Sequence, residues 1–373
     1  MGILAASIAC IATIAPALAD PIAVETLFKK PQYGGAVLSP SGRYLAVLAS
    51  VKDRRAVAVL DLTANTATVI PAVAGDAIRV VWQNDDRMLI TIGDLDRATG
   101  DRPVASGVWA VDRDGGNSHR VFGSLARVIP GSDDILVSAH GGSHSSLDLY
   151  RENTRNGHHE MLSFGSPGDV VRWILDFDGV PRAAVTADLL HDKSAWYLRK
   201  DADAPWQKIE EATLNNLSSV PLQFGPDGKI LYVNARRGND RSAVYEYSID
   251  AGKWNGPVVQ HPERDIDARF IIDVADRKLL GLQYADETPK AVWFDKEWAT
   301  VQKSIDAALP GTTNFLQHHG DRWIVTAMSD TNPGDVYLRE RSTMKMAKLF
   351  SYEPWIDPAA MAHVMAIQRA LTP

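Results

Sequence analysis

The residues that come nearest to a catalytic pair in this sequence are a serine and a histidine side by side, Ser143 and His144, in the segment His140–Ser146. A serine nucleophile needs a base within hydrogen-bond reach. Neighbouring residues of an extended segment point to opposite faces, so these two side chains cannot easily share a proton. The sequence also contains no G-x-S-x-G motif, the turn that carries the nucleophile of α/β-hydrolases. We therefore predict a polar loop here, and no catalytic residue in this chain.

Metal-binding side chains occur as adjacent pairs, not in the spaced sets that one ion needs. His158–His159 and His318–His319 are such pairs, and no H-E-x-x-H motif is present. Asp94–Asp101 and Asp112–Arg120 faintly resemble calcium loops, but they lack the spaced ligands and the terminal glutamate. Hairpin turns rich in Asp and Gly explain both segments. The sequence thus predicts no metal ion and no cofactor.

A short motif returns after almost half the chain. LSPSGRYLAVLAS at Leu38–Ser50 is followed by FGPDGKILYVNA at Phe224–Ala235. In each, a turn triplet of Pro, a polar residue and Gly precedes a segment in which every second residue is apolar. Alternation with a period of two is typical of a half-buried β-strand. A recurring turn and strand indicate an internal repeat.

The repeat extends over seven units of roughly forty to fifty residues, the spacing of four-stranded propeller blades. In each unit the third apolar segment carries an aromatic or aliphatic residue beside a charged one, as in Trp109–Asp112 and Tyr337–Arg339. We predict an all-β, seven-bladed β-propeller with four-stranded antiparallel blades over residues 20–350, although six or eight blades remain open alternatives. The units are Gly34–Val73, Ala77–Phe122, Ala126–Phe164, Asp169–Glu211, Ser219–Val259, Ala268–Ile305 and Thr313–Phe350.

Two segments have helical character. Lys296–Leu309 places apolar residues on one stripe and ends at Pro310-Gly311, which predicts a helix inserted in the sixth blade. A second helix, Pro358–Ala370, is predicted in a linker-like tail over 351–373. Charged residues of the third strands, such as Asp112, Arg151 and Arg339, either line a central channel or lie at solvated strand ends.

Composition limits the cellular setting. Met1–Ala19 is uncharged and apolar and ends in Ala-Leu-Ala, which predicts a signal peptide cleaved after Ala19; a buried N-terminal helix is the alternative. The only cysteine, Cys10, lies inside this segment, so a mature chain would have no disulfide. We expect a periplasmic or secreted protein with no membrane span in the mature chain. The net charge is −7 and the basic residues are scattered, which argues against nucleic-acid binding.

Several blocks resemble the N-terminal β-propeller of the prolyl oligopeptidase family of serine peptidases, in particular its acylaminoacyl-peptidase and dipeptidyl-aminopeptidase-like branches. The resemblance covers about Pro31 to Pro358 and is most specific in LLGLQYADETPKAVWFDKEW with VQKSIDAALPG, and in MSDTNPGDVYLRERSTMKMAKLF. In that family an α/β-hydrolase domain with the catalytic triad follows the ring, and the propeller screens access to it. Only 24 residues follow Leu349, so we expect the hydrolase domain to be absent from this chain and carry over no catalytic residue.

Two functions follow from this interpretation. The first is a non-catalytic, substrate-gating module of a secreted peptidase, in a truncated or separated form, with a peptide substrate and a hydrolase domain as partners. The alternative is a stand-alone periplasmic propeller that binds a peptide, a glycan or a protein. A third idea, a propeller enzyme with its site in the channel, would need a repeated cluster of His or acidic residues, and none is found. A gating module should expose apolar residues near Trp355, Ile356 and Met361.

Overall fold

The structure is a computed structural model that describes residues 22–52, 54–72, 75–95, 107–141 and 146–364. The predicted signal peptide, the pair Ser143 and His144, and most of Asp94–Asp101 lie outside the described residues.

Seven antiparallel sheets follow one another along the chain, and each is built from consecutive strands. Neighbouring sheets pack face to face around a ring, which covers both faces of each sheet. The second strand of the first blade shows this most clearly, because its first six residues are all buried. The prediction of a seven-bladed β-propeller is confirmed.

The strands of the first four blades are β1 Tyr33–Leu38, β2 Tyr44–Val51, β3 Arg54–Asp61 and β4 Thr66–Ile70; β5 Asp76–Asn84, β6 Arg87–Gly93, β7 Gly107–Asp112 and β8 His119–Arg120; β9 Ser124–Val128, β10 Asp134–His140, β11 Leu147–Asn153 and β12 His159–Met161; and β13 Val170–Leu175, β14 Pro181–Asp188, β15 Lys193–Leu198 and β16 Gln207–Ala212. Those of the last three are β17 Ser219–Phe224, β18 Ile230–Ala235, β19 Ala243–Ser248 and β20 Lys253–Val259; β21 Ala268–Asp273, β22 Lys278–Tyr284 and β23 Lys290–Trp293; and β24 Thr313–His319, β25 Arg322–Met328, β26 Asp335–Glu340 and β27 Met346–Ser351.

The sixth blade differs from the predicted pattern because it has three strands, and a helix, Lys296–Ala308, takes the place of the fourth. Thirteen helical residues rise about 20 Å, the same as a six-residue strand, so the helix can also connect the two faces of the ring. Asp295 caps it by accepting hydrogen bonds from the amides of Glu297 and Trp298. Trp298, Val301 and Ile305 are buried, as the apolar stripe predicted.

Short helical turns flank the propeller among the described residues. A four-residue helix, Val24–Leu27, precedes the first blade, and a 3₁₀ turn, Pro358–Ala360, follows the last. Of the predicted helix Pro358–Ala370, the first three residues are helical and 361–364 are not, and the rest lies outside the described residues.

Strand direction defines two faces of the ring. Since the strands alternate, β1 begins and β27 ends on one face, which we call the terminal face. Connections between second and third strands, and between one blade and the next, also lie on the terminal face. Connections between first and second strands, and between third and fourth strands, lie on the opposite face.

The ring closes where the seventh blade packs on the first, and the two blades share no strand. Leu38 and Val47 of the first blade lie in one buried cluster with Ile324 and Val336 of the seventh. Two side chains of the seventh blade donate hydrogen bonds across the seam, Gln317 Nε2 to Ala36 O at 2.9 Å and Arg322 Nη1 to Gly42 O at 2.8 Å. The backbone amides of Gln32 and Tyr33 also donate to Tyr352 O, directly after β27, at 3.0 and 3.2 Å. Packing, these side-chain bonds and the two backbone bonds therefore close the ring.

Two glycines allow the backbones of the first and seventh blades to come into close contact at this seam. Gly42 and Gly320 lie in the first turns of blades one and seven, with φ of +74° and +60°. A Cβ on either one would collide with backbone of the other turn, at His319 or Ser41 respectively. The seam thus requires glycine for space as well as for backbone conformation.

Gly131 is a matched control, because it has φ +70° in the corresponding turn of the third blade but no atom within 4 Å of an added Cβ. We expect Gly131→Ala to lower the free energy of unfolding by about 1–2 kcal/mol, the cost of left-handed backbone. Gly42→Ala should lower the free energy of unfolding by about 2 kcal/mol more than Gly131→Ala, because the two turns at the seam must also move apart. Urea denaturation measures both. Equal costs would show that the seam is not tightly packed.

Candidate functional site

The central channel is bordered by the first strand of each blade. These strands pair on one side only, and they contact one another around the ring, as β1 does with β5 and β24, and β17 does with β13 and β21. Exposed side chains on them therefore face the channel. Arg79, Arg172 and Arg269 are exposed on inner strands, and Arg127 is half-buried. Four of the seven inner strands thus bring an arginine to the channel.

A repeated β-bulge sets the position of most of these arginines. The register of the inner strand shifts by one residue in each of the first five blades, at Gly35, Ile78, Ala126, Val171 and Leu222. A bulge bends the strand and redirects the side chains beside it. The residues that follow the five bulges are Ala36, Arg79, Arg127, Arg172 and Gln223. The channel arginines of blades two to four therefore occupy one equivalent position.

These arginines differ in how much of their hydrogen-bonding capacity is already used. Arg127 donates through both Nη atoms to the end of the next inner strand, to Leu175 O at 3.2 Å and to O of the following residue, Asp176. Arg172 donates one bond, from Nη2 to Pro221 O at 2.7 Å. Among the described residues, Arg269 has no hydrogen-bond or ion-pair partner. Arg127 is thus a fixed link between blades, whereas Arg269 is available to a ligand.

Two neighbouring cavities open beside these side chains. One, about 260 Å³, is lined by Arg127, Arg172 and Trp173 among others, and the second, about 620 Å³, contains Arg172 and Arg269. Asp267 also lines the second cavity. Burial lowers the pKa of Arg172, and the charge of Asp267 opposes that shift. The guanidinium stays protonated at neutral pH, because arginine does not lose its proton in proteins.

The terminal face carries most of the exposed large apolar side chains of the described residues. Ten of sixteen lie in its loops or in the chain ends that cross it, whereas only Phe294 and Met344 lie in loops of the opposite face. The ten are Val24, Leu27, Phe28, Val51, Leu95, Phe122, Phe164, Leu189, Leu190 and Val364. Because large exposed apolar patches are typical of interaction sites, the terminal face is the candidate docking surface.

The most exposed apolar side chain of this surface, Leu190, lies in the loop between β14 and β15. Leu189 and Leu190 are 77% and 92% exposed. Asp188 holds the loop, because its Oδ1 accepts hydrogen bonds from the amides of Leu190 and His191 at 3.1 Å. The two leucines are therefore presented on a fixed turn.

The residues expected to mark such a surface, Trp355, Ile356 and Met361, are instead half-buried. Trp355 Nε1 donates to Thr26 O at 3.2 Å, and Lys29 Nζ lies 4.1 Å from the centre of its ring. The C-terminal segment is thus packed on the N-terminal one, and the exposed apolar surface lies beside it.

Of the two alternatives for the charged residues of the third strands, a position in the channel is excluded, because third strands are separated from the channel by the first and second strands. Asp112 ends β7 and accepts a hydrogen bond from the buried Arg87 at 2.5 Å. Arg151 pairs with Asp134 on the second strand of its own blade. Arg339 is buried, with Nη2 3.2 Å from Met344 Sδ.

One histidine of each pair packs against an aromatic ring. His159 stacks on Phe122 at 4.3 Å between centroids, and His318 lies 4.4 Å from the ring of Trp323. Burial lowers the pKa values of His318 and His319. In the described ranges no three His, Cys, Asp or Glu side chains are grouped as metal ligands would be, and no helix there is long and apolar enough to cross a membrane.

The channel arginines were missed in the sequence, although a signal for them exists. Arg79 and Arg127 are 48 residues apart, and Arg127 and Arg172 are 45 apart, which is one blade in each case. A comparison of equivalent positions in the seven units would have found them.

Comparison with known proteins agrees with this architecture. The chain is 24% identical to dipeptidyl aminopeptidase BIII of Pseudoxanthomonas mexicana, over 93% of this chain and 51% of that protein. A solved structure of a prolyl endopeptidase matches with a TM-score of 0.53 and 12% sequence identity. That match covers 88% of this chain and 51% of the endopeptidase chain. Prolyl oligopeptidase B from Galerina marginata matches with a TM-score of 0.50 and 9% sequence identity. That match covers 88% of this chain and 52% of the Galerina protein. No protein-family model matches the sequence.

Fold and channel together define a seven-bladed β-propeller that closes without sharing strands between its first and last blades. Together with the sequence match to a dipeptidyl aminopeptidase, this fold supports the resemblance to the N-terminal propeller of prolyl oligopeptidase-family peptidases. The chain spans about half the length of the relatives that it matches.

The unequal use of the channel arginines has a measurable consequence. Arg127→Leu should lower the free energy of unfolding by about 2–3 kcal/mol, because the carbonyls of Leu175 and Asp176 lose a charged donor. Arg269→Leu should change it by less than about 0.5 kcal/mol, as for other exposed sites. Urea denaturation of both variants tests this. A large loss in Arg269→Leu would mean that this side chain is also structural.

Proposed function

We propose that this chain is the non-catalytic, substrate-gating propeller of a prolyl oligopeptidase-family serine peptidase. A hydrolase domain docks on its terminal face and carries out the chemistry, while the ring limits which peptides reach that domain. A peptide is the proposed substrate because the relative found by sequence is a dipeptidyl aminopeptidase. The apolar first nineteen residues support a periplasmic or secreted location for it.

The observation that carries this proposal is the uneven distribution of apolar side chains between the two faces. Exposed apolar surface costs free energy in water, and soluble proteins rarely concentrate it without a partner. The terminal face presents Leu189 and Leu190 on a fixed turn and Phe164 76% exposed. A rigid patch of this kind suits a lasting contact with another domain.

The position of the channel arginines supports the same arrangement. First strands begin at the terminal face, and Arg172 and Arg269 are the third and second residues of β13 and β21. At about 3.3 Å per residue, both lie within about 7 Å of the strand start. A peptide held at this end of the channel would lie next to a domain docked on the terminal face.

Photo-crosslinking in cells of the native host tests the docking. A photoreactive amino acid in place of Leu190, on the terminal face, should crosslink to an α/β-hydrolase domain that mass spectrometry identifies. That domain would be on a second polypeptide or in the same one. The same group in place of Met344, 60% exposed on the opposite face, should give no such product.

Other outcomes would contradict the gating role. A crosslink from position 190 to a protein without a hydrolase domain would favour the stand-alone scaffold. Absence of any product would leave the apolar face without the proposed partner. The purified chain by itself should also leave a fluorophosphonate probe for serine hydrolases unreacted, and labelling of any serine would show that it is catalytic.

A further inference from the structure

The cavity between blades four, five and six combines features that suit an anionic group. It has a volume of about 620 Å³, and two of its lining side chains are arginines, Arg172 and Arg269. Asp267 is the acidic residue among its lining residues, so the charged side chains there sum to about +1, in a chain with a net charge of −7. The cavity is therefore a positive site in a negative protein.

Both guanidinium groups have N–H donors that make no hydrogen bond to another described residue. Arg172 is held in place by its bond to Pro221 O at 2.7 Å, which uses one of its five N–H groups. Among the described residues none pairs with Arg269, which projects from β21 into the same cavity. One guanidinium is thus fixed and the other is free to close on a bound group.

The rest of the lining favours a carboxylate on a peptide. Leu222, Phe270, Tyr284 and Pro289 give the cavity apolar and aromatic walls, which can contact a peptide backbone and small side chains. A guanidinium presents two parallel donors that match the two oxygens of a carboxylate. A nucleic acid would meet the overall negative charge of the protein, which opposes a polyanion.

We propose that this cavity binds a peptide carboxylate between Arg172 and Arg269, so that the propeller selects acidic peptides or peptide C-termini. The inference deepens the proposed gating role and rests on it for the identification of the ligand as a peptide. The negative charge of Asp267 in the same cavity opposes binding of a carboxylate.

Binding of short peptides to the purified full chain tests this at low ionic strength, with fluorescence anisotropy and an uncharged fluorophore. Three peptides are compared: one with an internal Glu and an amidated C-terminus, the same peptide with Gln in that position, and the Gln peptide with a free C-terminal carboxylate. We expect the first, the third or both to bind at least ~10-fold more tightly than the amidated Gln peptide. Which of the two binds shows whether a side chain or a C-terminus supplies the carboxylate.

Variants of the chain locate the site. Arg269→Gln should weaken carboxylate binding ~10-fold or more, and it leaves the fold intact because no described residue depends on that side chain. Asp267→Asn should tighten binding, and added salt should weaken it. Arg151→Gln is the control, since Arg151 lies on a third strand and pairs with Asp134.

Equal binding of all three peptides, no binding of any of them, or an unchanged affinity in Arg269→Gln would overturn the proposal. The result is independent of hydrolase docking because it uses this chain alone. If the chain binds carboxylates but crosslinks to no hydrolase domain, the carboxylate site is supported and the gating role is contradicted.

Discussion

The structure depends on one constraint, which is that a four-stranded blade has two apolar faces and can bury them only against two other blades. The condition is met for every blade only when the last one packs on the first. Here that contact is made by a shared buried cluster and by Gln317 and Arg322, with Gly42 and Gly320 allowing the turns to meet. The channel and the terminal face exist because the seam is closed.

Ring closure creates a second problem, because each inner strand has a free edge with unpaired carbonyl groups. Side chains of neighbouring blades satisfy several of them, as Arg127 does for Leu175 and Asp176, and Trp82 Nε1 does for Val37 at 2.9 Å. Long cationic side chains are thus brought to the channel for structural reasons. Arg172 donates to one carbonyl, and Arg269 donates to none among the described residues. Their remaining N–H groups are therefore available to bind a ligand.

Local features of the fold could be predicted from the sequence, and long-range features could not. Alternating apolar residues and turn triplets give the seven units, and the stripe from Trp298 to Ile305 gives the helix, because these patterns are set by neighbours in the chain. The seam joins Gln317 to Ala36, which are 281 residues apart, so no local pattern shows it. Which strand borders the channel is also decided by packing, and for this reason the sequence left open whether charges such as Asp112 line the channel or lie at strand ends.

Hydrogen exchange with mass spectrometry on the intact chain tests the central claim, closure of the ring, most directly. Amides of β1 and β24, the inner strands at the seam, should exchange as slowly as those of β13 and β17 across the ring, because all four belong to one cooperative unit. Exchange at the seam many times faster than at β13 and β17 would show that the first and last blades separate, and it would contradict this account of the channel.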